Sequence, residues 1–307
     1  MTELNRADVS DKVSFVIASR NRAEELASVV TRLLDTTDCP IIVVDNGSTD
    51  GSVTAMRNIA AQSPDRVTLL ELGSNLGAVA RNIGVAACRT PYVAFCDDDS
   101  WWDPDAPALG AHIFDRYPQT AVLAARTEVW PQRQEDPLVR RLAASPLGHR
   151  ADLPGPSILG FLACSAMVRK SAFQAAGGFS HILHFRGEEQ LLALDLAASG
   201  WELCYCPELT AVHQPSVNRP TSAAQDARSV RNDVLTTWLR RPLPHCVRAS
   251  IRLLGAATRD VEHARAATEA VIRLPDVLTH RRRLPSAVEH ALTVLERGGR
   301  LDENSHH

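Results

Sequence analysis

The sequence predicts an α/β fold, with a mostly parallel central sheet flanked by helices and a helical C-terminal segment. Short apolar runs alternate with amphipathic helical patterns through the first hundred residues, as in successive β-α-β units. Polar clusters at 19–22, 45–48 and 97–99 follow three of the apolar runs. Ligands of parallel sheets bind at the carboxyl ends of the strands, so we expect these clusters to converge on one site.

Apolar periodicity predicts the strands and helices of the first half of the chain, in order. Buried strands are predicted at 13–17, 41–44, 67–70 and 92–96. Helices are predicted between them, around 26–34 and over 52–62 and 77–87. In the second half, strands are predicted at 122–125, 163–168 and 203–206, with a helix over 188–199 and a loop with a short helix across 131–156. After residue 227 the pattern is helical only.

Composition excludes several classes of protein. Of the 307 residues, 45% are hydrophobic and 22% charged, which is typical of a folded globular chain and not of a disordered one. The sequence lacks an apolar run of the roughly 20 residues that a membrane-spanning helix needs, and its N-terminus is polar and acidic, unlike a signal peptide. We therefore expect a cytoplasmic protein whose seven cysteines are reduced. The net charge of -3 argues against nucleic acid as a partner.

The charge is unevenly divided along the chain. Residues 228–300 contain 14 Arg and 7 acidic residues, whereas the preceding part is acidic. Three interpretations are open: solvated helix faces beside the acceptor, a surface for acidic membrane lipids, or a site for an anionic acceptor. Arg228 and Arg231 follow His213 closely and are candidates for contact with a diphosphate. Peripheral membrane contact and a homodimer are both compatible with this segment.

Three adjacent carboxylates, Asp97, Asp98 and Asp99, follow the predicted strand at 92–96. Such a cluster repels itself unless a cation joins it, and oxygen ligands suit Mg²⁺ or Mn²⁺. In an extended backbone the first and third side chains point to the same face. The pattern predicts Asp97 and Asp99 as the functional pair, with Asp98 pointing elsewhere; the alternative is an ordinary acidic surface turn.

Glu188 and Glu189 open the predicted helix at 188–199, and His213 follows a predicted strand. A carboxylate at a helix N-terminus is favoured by the helix dipole, so an acidic first turn is also routine without function. The functional alternative is a general base that deprotonates a hydroxyl. His213 alone is more often a polar core or surface residue than a metal ligand.

Taken in order, these segments resemble the family 2 glycosyltransferases, which have the GT-A fold. The matching pieces extend from about 13 to 213: VSFVIASRNR, IIVVDNGSTDGS, NLGAVARNIGVAAC, YVAFCDDDS, GGF, GEEQLLALDLAASGW and AVH. The resemblance implies an inverting transferase that uses a nucleotide-diphosphate sugar and Mg²⁺ or Mn²⁺. UDP-sugars are the expected donors, with UDP-N-acetylglucosamine the first, and the acceptor would be a small-molecule, carrier-linked or glycan hydroxyl or amine.

The resemblance also implies roles for individual residues. Glu189 matches the catalytic base. Many relatives have Glu followed by Asp where this chain has Glu188 and Glu189, so the resemblance leaves open which of the two is the base. With Glu189 as the base, Glu188 would hold an acceptor hydroxyl. Asp99, Asp97 and His213 match the metal or diphosphate site. The remaining matches border the nucleotide sugar: Ala18, Ser19, Arg22, Asp45 (on the base), Asn46, Asn75, Gly77, Arg81, Asp97 and Asp98.

On this basis the chain divides into four parts. Residues 1–120 form the nucleotide-sugar half of the GT-A domain and 121–225 the half with the acceptor and the base. Residues 226–300 form the Arg-rich helical segment, and 301–307 a disordered tail. Two other functions stay open. A sugar nucleotidyltransferase usually has a Gly-rich loop after its first strand, where this chain has ASRNR. A catalytically silent sugar-nucleotide-binding protein is also compatible with the fold.

Overall fold

The computed structural model describes residues 9–215 and 222–304, with side chains omitted at 222 and from 299 onward. The first half contains strands β1 (Val13–Ser19), β2 (Ile41–Asp45), β3 (Val67–Glu71) and β4 (Tyr92–Cys96). Helices α1 (Ala23–Thr36), α2 (Ser52–Gln62) and α3 (Val79–Ala87) connect them. All four strands and the three helices that the sequence predicts here are present.

The second half begins with β5 (Ser100–Trp102), α4 (Ala106–Arg116), β6 (Thr120–Val129), β7 (Gln134–Glu135) and α5 (Pro137–Ala143). It continues through β8 (Ala166–Arg169), α6 (Lys170–Ala175), α7 (Glu188–Ala198) and β9 (Glu202–His213). The strand predicted at 163–168 is wrong in its first part, because Ala163–Ser165 form a 3₁₀ turn. The last strand is three times the predicted length.

In the part of the chain that the structure describes, one nine-stranded sheet organises the body in the order β3-β2-β1-β4-β8-β6-β9-β5, with β7 paired to β6. Strands β3, β2, β1 and β4 are mutually parallel, and β6 is parallel to β9. Strand β8 is antiparallel to both neighbours, so it joins the two parallel groups. The chain order reverses between β1 and β4, which opens a crevice at their carboxyl ends.

Buried apolar side chains on both faces of the sheet hold this arrangement. Phe15 and Ile17 of β1 pack with the α1 residues Leu26 and Leu33 on one face. The alternate β1 residue Val16 packs on the other face with α3, as the period of two in a strand requires. The resulting core fixes the strand ends, and therefore the polar clusters that follow them.

The C-terminal segment consists of α8 (Ser222–Arg240), α9 (Leu243–Ala257), α10 (Val261–Ile272), α11 (Leu274–His280) and α12 (Ser286–Asn304). It has its own apolar core, which includes Leu183 and Leu191 of the body. The last helix reaches Asn304, and the rest of the predicted tail, 305–307, lies outside the described residues. In the part of the chain that is described, no helix has the length and apolar character needed to cross a membrane.

Several arginines of this segment are not solvated, contrary to the first interpretation of its charge. Arg231, Arg240 and Arg241 are each less than a tenth exposed. Each forms an ion pair with an acidic residue far along the chain: Glu269 for Arg231, Asp195 for Arg240, and both Glu289 and Glu296 for Arg241. Part of the basic charge therefore fastens the helices to one another and to α7.

Candidate active site

A cavity of about 720 Å³ opens at the carboxyl ends of β1 and β4. Twelve of the fourteen residues that the sequence predicts for the site line it: Ala18, Ser19, Arg22, Asn46, Asn75, Gly77, Arg81, Asp97, Asp98, Asp99, Glu189 and His213. Asp45 and Glu188 do not line it; both are buried beside it. The parallel strands and the crossing β9 thus bring together residues up to 195 positions apart.

The three aspartates occupy a turn and not an extended strand, which corrects the alternation predicted for them. The Asp97 amide donates to Ser100 Oγ at 2.7 Å, and the Ser100 amide donates to the Asp97 carbonyl at 3.3 Å. This turn reverses the chain from β4 into β5. As a result the three carboxylates point to three different partners and all reach the cavity.

Asp97 pairs with Arg81 Nη2 at 2.5 Å, and Asp98 accepts a hydrogen bond from Ser19 Oγ at 2.7 Å. Burial raises the pKa of Asp98 to about 6. Asp98 therefore does not point away from the site; its hydrogen bond joins the ends of β1 and β4 across the crevice.

Asp99 lies beside His213, with 3.4 Å between its Oδ1 and the imidazole Nε2. The pairing of β5 with β9 sets this distance, because Ser100 lies opposite His213 in the register. The Gln214 amide also donates to the Asp99 carbonyl at 2.7 Å. His213, which follows Asp99 by 114 positions in the sequence, is thereby brought to the aspartate turn.

These residues include two side chains that could bind a divalent metal ion. Within the described residues, no group of three or more His, Cys, Asp or Glu side chains is placed to hold a metal ion. The Asp99 carboxylate and the His213 imidazole would supply two ligands, whereas Asp97 is turned to Arg81. Mg²⁺ is usually held by one or two carboxylates together with substrate phosphates. The donor set fits an ion whose coordination a bound diphosphate completes.

Arg81 is the buried centre of the site, with only 4% of its surface exposed. Besides Asp97, its Nη1 lies 3.8 Å from Glu188 Oε1. Its position on α3 follows from the packing of Gly84, one turn later, against Val16 and Val44, where a Cβ would be 2.6 Å from Val16. The guanidinium therefore links the aspartate turn to the start of α7.

Glu188 and Glu189 begin α7, and their surroundings differ. Glu188 is 1% exposed, and its Oε2 is buried without a hydrogen-bond partner among the described residues. Glu189 is half-buried and faces the cavity. Burial raises the pKa of both carboxyls, and for Glu188 the charge of Glu189 adds to the effect. Of the two, Glu189 is the one with access to a bound molecule.

The side of the cavity predicted to bind the nucleotide is shaped by a loop around Asn75 and Gly77. Asn46 fixes this loop, since its Oδ1 accepts from the Leu76 amide at 2.8 Å and its Nδ2 donates to the Gly77 carbonyl at 3.1 Å. Asp45 Oδ2 accepts from the Ser48 amide, but Oδ1 is buried with no partner. Because Asp45 does not line the cavity, its predicted contact with a base stays a prediction.

The segment at 183–187 contributes cavity residues to which the sequence assigns no individual role. His184, Phe185 and Arg186 line the cavity, and the Ala78 amide donates to the His184 carbonyl at 2.6 Å. Gln225 and Arg228 line it from α8, whereas Arg231 is turned away to Glu269 and the Leu183 carbonyl. The diphosphate contact expected from both arginines is thus available to Arg228 alone.

Comparison with known proteins places this geometry in context. Residues 14–177 match the profile of glycosyl transferase family 2. The Pre-mycofactocin glycosyltransferase of Mycobacterium tuberculosis is 33% identical over 211 residues, which is 66% of this chain but 42% of that protein. The chain therefore spans less than half the length of this relative.

Two solved structures share the fold across most of the chain. The mannosyltransferase PcManGT from Pyrobaculum calidifontis, in complex with GDP-Man and Mn²⁺, has a TM-score of 0.60 at 18% identity and covers 95% of this chain and 87% of that one. S. aureus TarS 1-349 in complex with UDP-GlcNAc has a TM-score of 0.56 at 14% identity, with coverages of 91% and 83%. These similarities confirm the GT-A fold that the sequence predicts.

Proposed function

Because the chain belongs to glycosyl transferase family 2, we propose that it transfers a sugar from a nucleotide-diphosphate donor to a hydroxyl or amine of a small-molecule, carrier-linked or glycan acceptor. The observation that carries the proposal is the shared cavity. Glu189 faces the same space as the aspartate turn and the ends of β1 and β4. A base and a diphosphate site on one cavity are what displacement at an anomeric carbon requires.

In the proposed reaction Glu189 accepts the proton of the acceptor hydroxyl as the acceptor oxygen forms a bond to the anomeric carbon. The bond from that carbon to the diphosphate oxygen breaks, and the nucleoside diphosphate leaves with the electron pair. A single in-line displacement inverts the anomeric centre. The raised pKa of Glu189 suits this role, because a stronger base takes the proton more readily.

Asp99 and His213, with Asp97 close by, would hold Mg²⁺ or Mn²⁺, and the bound ion would offset the charge on the departing diphosphate. The PcManGT structure is a complex with Mn²⁺, which supports a divalent ion. Arg228 is a second source of positive charge on the cavity wall. Arg81 would act mainly by holding Asp97 and Glu188 in place.

For the donor we propose a UDP-sugar, with UDP-N-acetylglucosamine first. The TarS structure, which shares the fold, is a complex with UDP-GlcNAc. Asp45 lies buried beside the cavity and would accept from the N–H of a uracil ring only if its surroundings opened to the ligand. The PcManGT complex with GDP-Man makes a guanine nucleotide the first alternative to test.

The direct experiment incubates the protein with UDP-GlcNAc, GDP-mannose or other nucleotide sugars, Mn²⁺ and an acceptor panel, and measures the released nucleotide. A transferase releases the nucleoside diphosphate. A sugar nucleotidyltransferase, run with sugar phosphate and nucleoside triphosphate, releases pyrophosphate instead. A silent binding protein releases neither, although its donor would still raise the melting temperature.

The base is tested by a matched pair of variants. Glu189→Gln should lower kcat by about 10² to 10⁴, the usual contribution of a positioned general base. Glu188→Gln keeps the size of a side chain that does not reach the cavity, so it should lower kcat much less. Equal activity of both variants with the wild type would refute the assignment of the base.

A further inference from the structure

Helix α9 presents an unusual apolar face to solvent. Leu243, Val247, Ile251 and Leu254 are 60%, 59%, 64% and 69% exposed. Their spacing of four, four and three residues places them on one face of the helix. The opposite face is buried: Ala249 and Leu253 belong to the core of the C-terminal segment, and Ala256 is 5% exposed. Single exposed leucines are ordinary, but four on one helix face indicate a contact surface.

This face belongs to a wider concentration of apolar side chains. Twelve large hydrophobic side chains are exposed in the described residues, and nine of them lie between 243 and 278. The sheet domain contains most of the residues of the chain but contributes three of these twelve exposed side chains. The exposed apolar surface is therefore concentrated in the helical segment and is not a general property of the protein.

The charge that α9 itself carries beside the apolar face has one sign. Arg248 and Arg252 are exposed and lie one turn apart along the flank of the face, and Arg252 also faces Asp233 of α8 across a shared cavity. From Pro242 to Arg259 the sequence contains no acidic residue. Within the described part of the chain neither Arg248 nor Arg252 forms an ion pair, unlike the buried Arg240 and Arg241 just before them.

We propose that the α9 face, defined as Leu243, Val247, Ile251 and Leu254 with the flanking Arg248 and Arg252, docks on an anionic lipid membrane. The apolar side chains would enter the boundary between headgroups and acyl chains. The arginine side chains are long enough to reach the phosphates from the flank. The juxtaposition of apolar and basic residues on a surface helix is the chemistry that such a bilayer recognises.

A second copy of the chain fits the same face less well. In a two-fold dimer the same patch meets itself, so the arginine rows of both copies would be close to each other. The helix has no acidic residue to pair with them. An anionic surface satisfies both the apolar and the charged part of the face.

The test is flotation of the full chain with lipid vesicles at 0.1 M NaCl. Vesicles of equal parts phosphatidylglycerol and phosphatidylcholine should bind the protein, and pure phosphatidylcholine should bind it far less. Raising NaCl to 1 M should weaken binding, since it shortens the screening length. No binding to the anionic vesicles would overturn the proposal.

Two variants separate the apolar from the charged contribution. Ile251→Ser/Leu254→Ser and Arg248→Gln/Arg252→Gln should each lower the vesicle partition coefficient by about tenfold or more. The control Arg89→Gln/Arg116→Gln removes two exposed arginines of the sheet domain and should leave binding within about twofold. Unchanged melting temperatures would show that all variants fold.

Light scattering tests the alternative that a second copy of the chain occupies the α9 face. The proposal expects the same molar mass for the wild type and Ile251→Ser/Leu254→Ser in the absence of lipid. A wild-type dimer that the double variant dissociates, with no difference in vesicle binding, would assign the face to self-association and refute docking on lipid. Neither result depends on transferase activity, so the proposal stands or falls separately from the reaction.

Discussion

Replacing Gly77 by alanine should distort the active site through a single added methyl group. Gly77 has a left-handed backbone, with φ of +63°, and its position is fixed on both sides. Its amide donates to Asn75 Oδ1 at 2.9 Å, and its carbonyl accepts from Asn46 at 3.1 Å. A Cβ at this position would lie 2.1 Å from the carbonyl oxygen of His184, far inside any real contact distance.

The cost has two sources. A non-glycine residue in the left-handed region costs about 1 to 2 kcal/mol. To clear the methyl group, the His184 carbonyl must move by roughly 1 Å, which gives up its hydrogen bond from the Ala78 amide, worth about 1 kcal/mol. The free energy of unfolding should therefore fall by about 2 to 4 kcal/mol, and the melting temperature by roughly 3 to 6 °C.

The same movement should impair catalysis, because His184 and Phe185 line the cavity and lead into Glu188 and Glu189. We expect kcat/KM for the donor to fall by about tenfold or more, as small misplacements of a catalytic group usually cost. The assays are thermal unfolding and nucleotide release at subsaturating donor.

Gly73→Ala is the matched control for this prediction. Gly73 lies in the same loop, and a Cβ there would have no atom within 4 Å. Its variant should melt and turn over like the wild type. If Gly77→Ala were as stable and active as Gly73→Ala, the close contact between the loop and His184 would not exist as described.

Two further predictions concern buried charge. Arg240→Met should lower the free energy of unfolding in urea by about 2 to 4 kcal/mol, because it leaves Asp195 of α7 without its bidentate partner. The control is Arg150→Met, which removes an exposed arginine. A loss of stability in Arg240→Met no larger than that in Arg150→Met would contradict this prediction. In a pH series, the acidic limb of the kcat/KM profile should have a midpoint above the ordinary pKa of glutamate, about 4.3. The reason is that burial raises the pKa of Glu189 and the base acts only when deprotonated. A midpoint below about 4.3 would show that Glu189 is not the titrating base.

Apolar runs were enough to predict the strands of the first half, because parallel strands buried on both faces contain little else. The same rule underestimated β9, predicted at 203–206 and observed from Glu202 to His213. Pro207 and Glu208 interrupt the apolar pattern and are exposed at a shift in register against β6, after which the strand resumes. A bulge removes the alternation on which the prediction depends.

The residues of the cavity were predicted where they follow strand ends, and were left without a role where their place depends on long-range contacts. Ser19 and Asp97 could be placed from strand order alone. By contrast, His184 and Phe185 lie in a loop without periodicity, and their place in the site depends on contacts with Ala78 and with α8. The turn at the aspartates also could not be predicted, because it depends on the hydrogen bonds of Ser100.

The burial of the C-terminal arginines changes the relation between that segment and the reaction. Asn232 of α8 is 1% exposed, and its Nδ2 lies within hydrogen-bond distance of three carbonyls, those of Leu183, Phe185 and Arg186. Two backbone positions in this loop, His184 and Arg186, have positive φ values, which non-glycine residues adopt only when their surroundings impose them.

The side-chain amide of Asn232 provides such surroundings, because it lies within hydrogen-bond distance of three carbonyls of the loop. These contacts replace the backbone hydrogen bonds that a helix or strand would supply. Arg240 fastens the far end of α8 to α7 through Asp195. Helix α8 therefore holds both the loop before Glu188 and Glu189 and the helix that these two residues begin. The segment that the sequence presents as a basic appendage is, in the folded protein, part of the framework that positions the candidate base.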